Sequence, residues 1–489
     1  MERVAASLKS KIMSAEEAAQ LVKSGMSIGL SGFTSVGYPK AVPSALAASG
    51  HAKDLTILVG AAVGDDCDGA LVRAGCVKKR FGHQTNKDLR TAINNGRVSF
   101  SDIHISHFPM NLNQQTLQGV DVAIVECVAI TEDGLYLCAS AGSTDAAVHN
   151  ARFVIAEVNT SVPMGLMGMH DIFEVGIPPH ARIINITDPR DRIGTPYVPC
   201  PPEKIAAIVM TDKLDPPQKF KPVTPATQKV GENVVKFLKD EIAAGRLPAD
   251  PGPIQSGVGS VGNAVLSVLS ASGFKGLTMY TEVMQDAAFS LIDQGVIDFV
   301  SASSIALAAD SRERFFENID QYRDKMVIRP QEISNHPEVI RRLGIIALNT
   351  PVEVDIYGNV NSTHQMGSKM LNGSGDFARN ARISIFATES TAKDGLISCI
   401  VPMVSHVDQT EHDVAVIITE QGIADLRWKT PKERAELLIE NCAHPDYRPM
   451  LREYYEHALA TSAGKHTPHD LTKALSWHQR YLETGTMKE

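Results

Sequence analysis

The chain has 489 residues, enough for two or three domains, each with a core of its own. Hydrophobic residues make up 43% and charged residues 21%, ordinary for a soluble globular protein, and the net charge of -9 argues against a non-specific nucleic-acid binder. No apolar run nears the ~20 residues of a membrane span, and Met1-Glu2-Arg3-Val4 starts no apolar signal core; the seven cysteines are widely spaced without a C-x-x-C, as expected of incidental thiols in a reducing, cytoplasmic compartment.

Residues 14–23 read as a short helix, with Ser14 as N-cap and Glu17 closing a capping box. Met26 to Leu30 is a strand, and Ser31 to Lys40 a turn. A helix spans 41–48, with Pro43 in its first turn where a missing N–H costs little. Residues 55–60 form the next strand. The apolar runs 122–125, 154–158 and 205–210 have the composition of buried parallel strands. Residues 213–226 are Pro- and Lys-rich and read as a linker between a first domain, 1–212, and a second, 227–489. A helix from Thr227, stopped by Gly245, opens the second domain.

The second domain then repeats the first. Ser256-Gly257-Val258-Gly259-Ser260-Val261-Gly262 matches Ser31-Gly32-Phe33-Thr34-Ser35-Val36-Gly37, and Leu277-Thr278 matches Leu55-Thr56. The pattern predicts an internal duplication: two related open α/β domains with mostly parallel sheets. In this register Gly60 stands where the second half has Glu282, which suits a supporting half paired with a catalytic half. Further strands are expected at 345–348, 352–357, 383–387 and 414–419, with a second Gly-rich turn at 372–376. From Pro431 the chain reads as helical, ending in a polar tail.

Gly257, Gly259 and Gly262 spell G-x-G-x-x-G, with Glu282 at about the ~20-residue distance of a ribose-binding acid. Against an NAD site, Asp250-Pro251-Gly252-Pro253 leaves only three residues for the strand the fingerprint should follow, and Thr34 replaces the middle glycine in the first half. The same geometry serves differently if backbone N–H groups of the Gly loop stabilise an oxyanion and a strand-end carboxylate attacks an acyl group. Spacing alone is also met by a solvated acid in the first turn of a helix. His406, Asp408, Glu411, His412 and Asp413 fit no common metal spacing, and 444–448 reads as a turn.

The segments 31–40, 255–265, 280–283, 329–335, 355–358, 374–377 and 418–427 together resemble the acetyl-CoA hydrolase/transferase family of class I CoA-transferases, over nearly the whole chain. The resemblance implies a CoA-transferase-like fold, and CoA transfer between a short-chain acyl-CoA and a small carboxylate such as acetate or succinate, with acyl-CoA as substrate and neither metal nor NAD. It implies that Glu282 forms the acyl anhydride and then a glutamyl-CoA thioester, that Val258 and Gly373 make the oxyanion hole, and that Glu420 helps position Glu282. Gly257, Val258, Gly259, Ser260, Val261, Asn372, Gly373 and Lys393 would contact CoA, and Asn335 would hold the carboxylate substrate. A homodimer without nucleic-acid or membrane partners is expected. The Gly-rich segment is shorter than the family's usual one, Asn372-Gly373 abutting Ser374 directly. Acetyl-CoA hydrolysis, an NAD-dependent dehydrogenase and a non-catalytic acyl-CoA binder are the alternatives.

Overall fold

The computed structural model describes residues 2–114, 116, 119–219, 222–257, 259–371 and 375–489. Seven parallel strands build the first sheet: β1 Ser27–Leu30, β2 Leu55–Leu58, β3 Val77–Phe81, β4 Ser99–Ser101, β5 Val122–Ile130, β6 Phe153–Asn159 and β7 Ile205–Thr211. Seven more build the second: β8 Ile254–Ser256, β9 Leu277–Tyr280, β10 Ile297–Ala302, β11 Met326–Ile328, β12 Ile346–Asn349, β13 Ile383–Ala387 and β14 Val416–Ile418. Their spatial orders are β4-β3-β2-β1-β5-β6-β7 and β11-β10-β9-β8-β12-β13-β14. Both run fourth, third, second, first, fifth, sixth, seventh, so the duplication seen in the Gly loops extends to the topology. Antiparallel strands are added: Gly134–Leu137 on the extended end of the interior strand β5, with Val198–Pro199 beside it, and Ile423–Asp425 on the edge strand β14.

The strands are apolar because both faces of each sheet are covered. Ile28, Leu30 and Ile57 face one core with the helix α2, Ala41–Ser49, while Leu58, Ala123 and Val125 face the core that continues into the second half through Ile254, Met279 and Val300. The halves are also stitched by backbone: Ala141 N–H donates to Ser303 O (2.9 Å), Ile305 N–H to Ala139 O (2.9 Å) and Gln331 N–H to Gly142 O (2.8 Å). At the same seam the fully buried Arg329 guanidinium pairs with Asp171 and donates to Ser301 Oγ.

Two local expectations are met in their key detail. Helix α1 has the Ser14–Glu17 capping box, although it spans Ala15–Ala19 and stops short of the expected end at Lys23. The strand before the second Gly loop is only three residues, as the Pro-rich run before it dictates. Other expectations need correction. The helix expected from Thr227 is α3, Pro225–Ala243, beginning two residues earlier because Thr224 caps it through a box with Thr227 and Pro225 takes the first position. The stretch read as a linker is tied down: Asp215 forms an ion pair with buried Lys40 (2.7 Å) and accepts from Gly37 N–H, and Gln218 N–H donates to Leu307 O. The C-terminal region folds as α5 Pro431–Asn441, α6 Arg448–Thr461 and α7 Ser476–Thr484, but its polar tail is docked, with Met487 fully buried and its N–H on Leu396 O. Strand β3 was unread because Lys78, Lys79 and Arg80 mask it, although the Arg80 side chain is buried on Asp68 and the carbonyl of Val59. All seven cysteines are buried and unpaired. Among the described residues no helix is long and apolar enough to cross a membrane.

Candidate active site

The second Gly loop joins β8 to helix α4, Ser260–Ser270. Gly257 N–H donates to Leu348 O (2.8 Å), laying the loop against β12, and Gly259 caps the helix at φ 139°, a backbone state that a side chain would strain. A Cβ on Gly262 would sit 2.3 Å from Gly257 O, so the third glycine lets the helix close on its own loop. Among the described residues no side chain caps this helix start. Ser260 and Val261 form its first turn; Val258 lies outside the described residues.

Strand register relates the two halves position by position. In the first, Ile28 pairs with Ile57; in the second, Ile254 pairs with Met279. Counting three residues on from Ile57 and Met279 gives Gly60 and Glu282, the equivalence read from the sequence; the same register sets Leu30 against Ser256, so the Ser31–Ser256 match of the two loops is displaced by one residue in the sheets. The two positions are filled differently. A Cβ on Gly60 would meet the Gln331 amide at about 2.1 Å, because Gln331 lies over it and donates to Ile105 O (2.7 Å). Glu282 instead projects into a cavity of about 260 Å³ at the carboxyl ends of the strands.

The same counting compares the helix starts. Leu30 pairs through Ile124 to Ile155, and Ser256 through Leu348 to Ile385, so Glu157 corresponds to Ala387. Glu157 accepts from the N–H groups of Lys40 (2.8 Å), Ala41 (3.0 Å) and Val42 (2.7 Å), plugging the start of α2 with the chain's own carboxylate. Ala387 has no group with which to do this at α4.

Both halves line the cavity. Phe33, Thr34, His83, Thr85 and Ile105 come from the first, and Gly257, Glu282, Asn349, Thr350, Gly375, Phe386 and Gln409 are among those from the second. The Glu282 backbone is clamped by Ser303 and Ser304 N–H groups on its carbonyl (2.8 and 3.1 Å). Its carboxylate is far less satisfied: Oε1 is buried, has no hydrogen-bond partner among the described residues, and faces Gly375, whose Cβ would come within 2.9 Å of it. Burial, with a smaller contribution from the charge of Asp376, pushes Glu282 up to about 8.

The other residues expected at the site are placed as follows. Asn335 is fully buried, donates to Ser334 Oγ (3.0 Å) and keeps its Oδ1 unpartnered, but does not line the cavity. The Glu420 carboxylate accepts from Ser390 N–H (2.7 Å), Ser390 Oγ and Gln421 Nε2 (2.9 Å), again off the cavity wall. Lys393 is exposed, with φ 50°, and donates to the Tyr481 hydroxyl (2.7 Å). Asn372 and Gly373 lie outside the described residues. The structure therefore gathers Gly257, Glu282 and Gly375 at one cavity, while Gly259, Ser260 and Val261 follow Gly257 off its wall. Sequence reasoning missed His83, Thr85, Ile105, Asn349 and Thr350; the last two stand where β12 ends, where the strand-end rule would have found them.

Over residues 2–210 the sequence matches the acetyl-CoA hydrolase/transferase N-terminal domain, and over 312–455 the C-terminal domain of the same family. The chain belongs to this family. It is 50% identical to the succinyl-CoA:acetate CoA-transferase of Clostridium kluyveri, over 98% of this chain and 91% of that one. It is 43% identical to an acetyl-CoA hydrolase of Schizosaccharomyces pombe, over 98% of both chains. The crystal structure of RipA from Yersinia pestis superposes with a TM-score of 0.73 over 94% of this chain and 99% of that one; at 20% identity this likeness concerns the fold alone. The family membership makes the protein an enzyme of the CoA-transferase type.

Proposed function

We propose that the protein moves CoA between a short-chain acyl-CoA and a small carboxylate, with Glu282 as nucleophile. The observation that carries this reading is Glu282 Oε1, buried in the cavity and without a partner among the described residues, with Gly257 of the second Gly loop on the same wall. A free carboxylate is a weak nucleophile. Stripped of water, it is stronger, and loop N–H groups can stabilise the oxyanion that forms at the acyl carbon. In the first step the carboxylate attacks the thioester carbon, the C–S bond breaks, and CoA leaves as thiolate from a glutamyl-acyl anhydride. The thiolate then attacks the glutamyl carbonyl, the acyl group departs as a free carboxylate, and a glutamyl-CoA thioester remains. The acceptor acid runs these steps backwards.

In this scheme the amides of Val258 and Gly373 form the oxyanion hole. The run from Gly257 to Val261, with Asn372, Gly373 and Lys393, binds CoA; Asn335 holds the acid, and Glu420 braces the site from beyond the end of β14. The sequence of the Clostridium kluyveri relative supports transfer involving succinyl-CoA and acetate. The Schizosaccharomyces pombe relative supports a second reading, acetyl-CoA hydrolysis, which differs only in water resolving the glutamyl-CoA. Family membership and the Glu282 cavity favour both over the dinucleotide alternative.

The test is intact-protein mass spectrometry after mixing with acetyl- or succinyl-CoA and no acceptor. A CoA adduct should appear and map to Glu282. Glu282→Ala should fold and bind CoA but form no adduct, and added acetate or succinate should speed acyl exchange in the wild type. Near-normal turnover by Glu282→Ala, or an adduct on Cys399, would refute the mechanism. Rapid CoA release indifferent to acceptor acid would select the hydrolase.

A further inference from the structure

Gly375, which faces Glu282, belongs to the second half, yet the first half holds the described chain on either side of it. Before it, Asn94 pairs with the Met370 backbone in both directions (2.9 Å each), and the buried Gln84 amide donates to Leu371 O (3.4 Å). After it, the buried Asp376 accepts from Ser106 N–H through Oδ2 (2.8 Å), while His104 Nδ1 lies 3.1 Å from Oδ1. Gly375, between this anchor and the undescribed 372–374, is the residue in contact with Glu282 Oε1. Asp376 is thus bound to the first half on both oxygens, one residue from the reacting carboxylate.

We propose that His104 is a positioning residue for the reaction at Glu282: through Asp376 it fixes Gly375 against the Glu282 carboxylate, so that the first half sets the geometry of the second half's nucleophile. The inference rests on the reading of Glu282 given above. A side-chain hydrogen bond is the natural form of the contact, since Ser106 already occupies Oδ2 and leaves Oδ1 to the imidazole. That bond raises the His104 pKa most, aided by the charges of Asp376 and Asp102 and opposed by burial and Arg379. His107 stands edge-on to the His104 ring at 5.2 Å, and His336 also feels the Asp376 charge. Asp376 in turn is the charged group that adds to burial in raising Glu282. His104 therefore acts in two ways: it holds the carboxylate that carries Gly375, and it directs that carboxylate's charge toward the first half.

The test compares wild type with His104→Ala, His104→Gln, Asp376→Asn and Glu282→Gln, reading the rate of CoA-adduct formation against pH and the affinity for CoA by calorimetry. His104→Ala should slow adduct formation at least about tenfold while CoA affinity changes less than about twofold, since a small misplacement of the reacting group costs rate more than binding. His104→Gln, which keeps a donor, should recover most of the rate. Asp376→Asn removes a charge beside Glu282, so its acid limb should move to lower pH, by about 0.5–1 pH unit. A merely structural contact would not move that limb. An unchanged rate in His104→Ala, parallel loss of rate and CoA affinity, or an unmoved or raised limb in Asp376→Asn would overturn the proposal while an inactive Glu282→Gln left the nucleophile standing. Turnover by Glu282→Gln would instead bring down the reading of Glu282 and this inference with it.

Discussion

Replacing Glu282 by Gln should stabilise the protein, and by an amount that grows with pH. In the folded chain the carboxyl is raised from 4.5 to about 8, chiefly by burial. The unfolded chain would release this proton near 4.5, so between these values the folded state binds more protons, and stability falls as pH rises. Each pH unit in that window costs about 1.4 kcal/mol, so by pH 8 and above the ionised form costs the fold at most about 4–5 kcal/mol. An amide of the same shape does not ionise and avoids this cost. Unfolding entropy is roughly 2.1 cal/mol/K per residue, about 1 kcal/mol/K for a chain of this length, so Glu282→Gln should melt up to about 4 °C above wild type at pH 8.5 and level with it at pH 4.5. Scanning fluorimetry of both proteins across that range measures the difference. Other raised carboxyls, such as Glu332 and Asp145, cancel in the comparison. Equal melting temperatures at pH 8.5 would mean that Glu282 is solvated or already paired, and the argument for a desolvated nucleophile would fail.

Lys40→Met should destabilise the chain by about 3–5 kcal/mol in urea unfolding, because it strands the buried Glu126 and Asp215 carboxylates that Lys40 now bridges at 2.6 and 2.7 Å. The deficit should shrink on acidification, since Glu126, already raised to about 8 by burial, takes up a proton more readily without its cation; a pH-independent deficit would contradict this. Gly375→Ala places a methyl 2.9 Å from Glu282 Oε1, so adduct formation should fall at least about tenfold with little change in melting temperature; an unchanged rate would show that the loop has room to yield.

Much of the fold was legible because each half is written in the same terms. Apolar runs at 122–125, 154–158 and 205–210 sit in β5, β6 and β7, and the repeated Gly loops marked both first strands. Strands β3 and β4 were not legible, since Lys78, Lys79 and Ser99 keep polar side chains in an exposed part of the sheet where neither alternation nor an apolar run develops. At the site, local spacing singled out Glu282 and Gly257, and the family resemblance gave them their roles. His83, Ile105 and His104 were not, because they come to the cavity or its loop from the other half, across the chain's largest fold in sequence. No local pattern encodes a contact of that separation, such as the one between Ser106 and Asp376.

The plugged helix start in the first half has a consequence for how many ligands one chain can take. Glu157 occupies the donors that an incoming anion would need at α2, the Lys40–Glu126 pair fills the space beside it, and Gln331 covers Gly60. The symmetry of the two halves is therefore kept in the architecture and closed off chemically at α2, so that under the proposed function one chain would take a single acyl group in this pair of sheets. Restoring a carboxylate at Gly60 could not reopen the retired site: the new side chain would collide with an amide from the working half, which is bound to Ile105 of that same cavity wall. The silent half has become part of the mould in which the active one is cast.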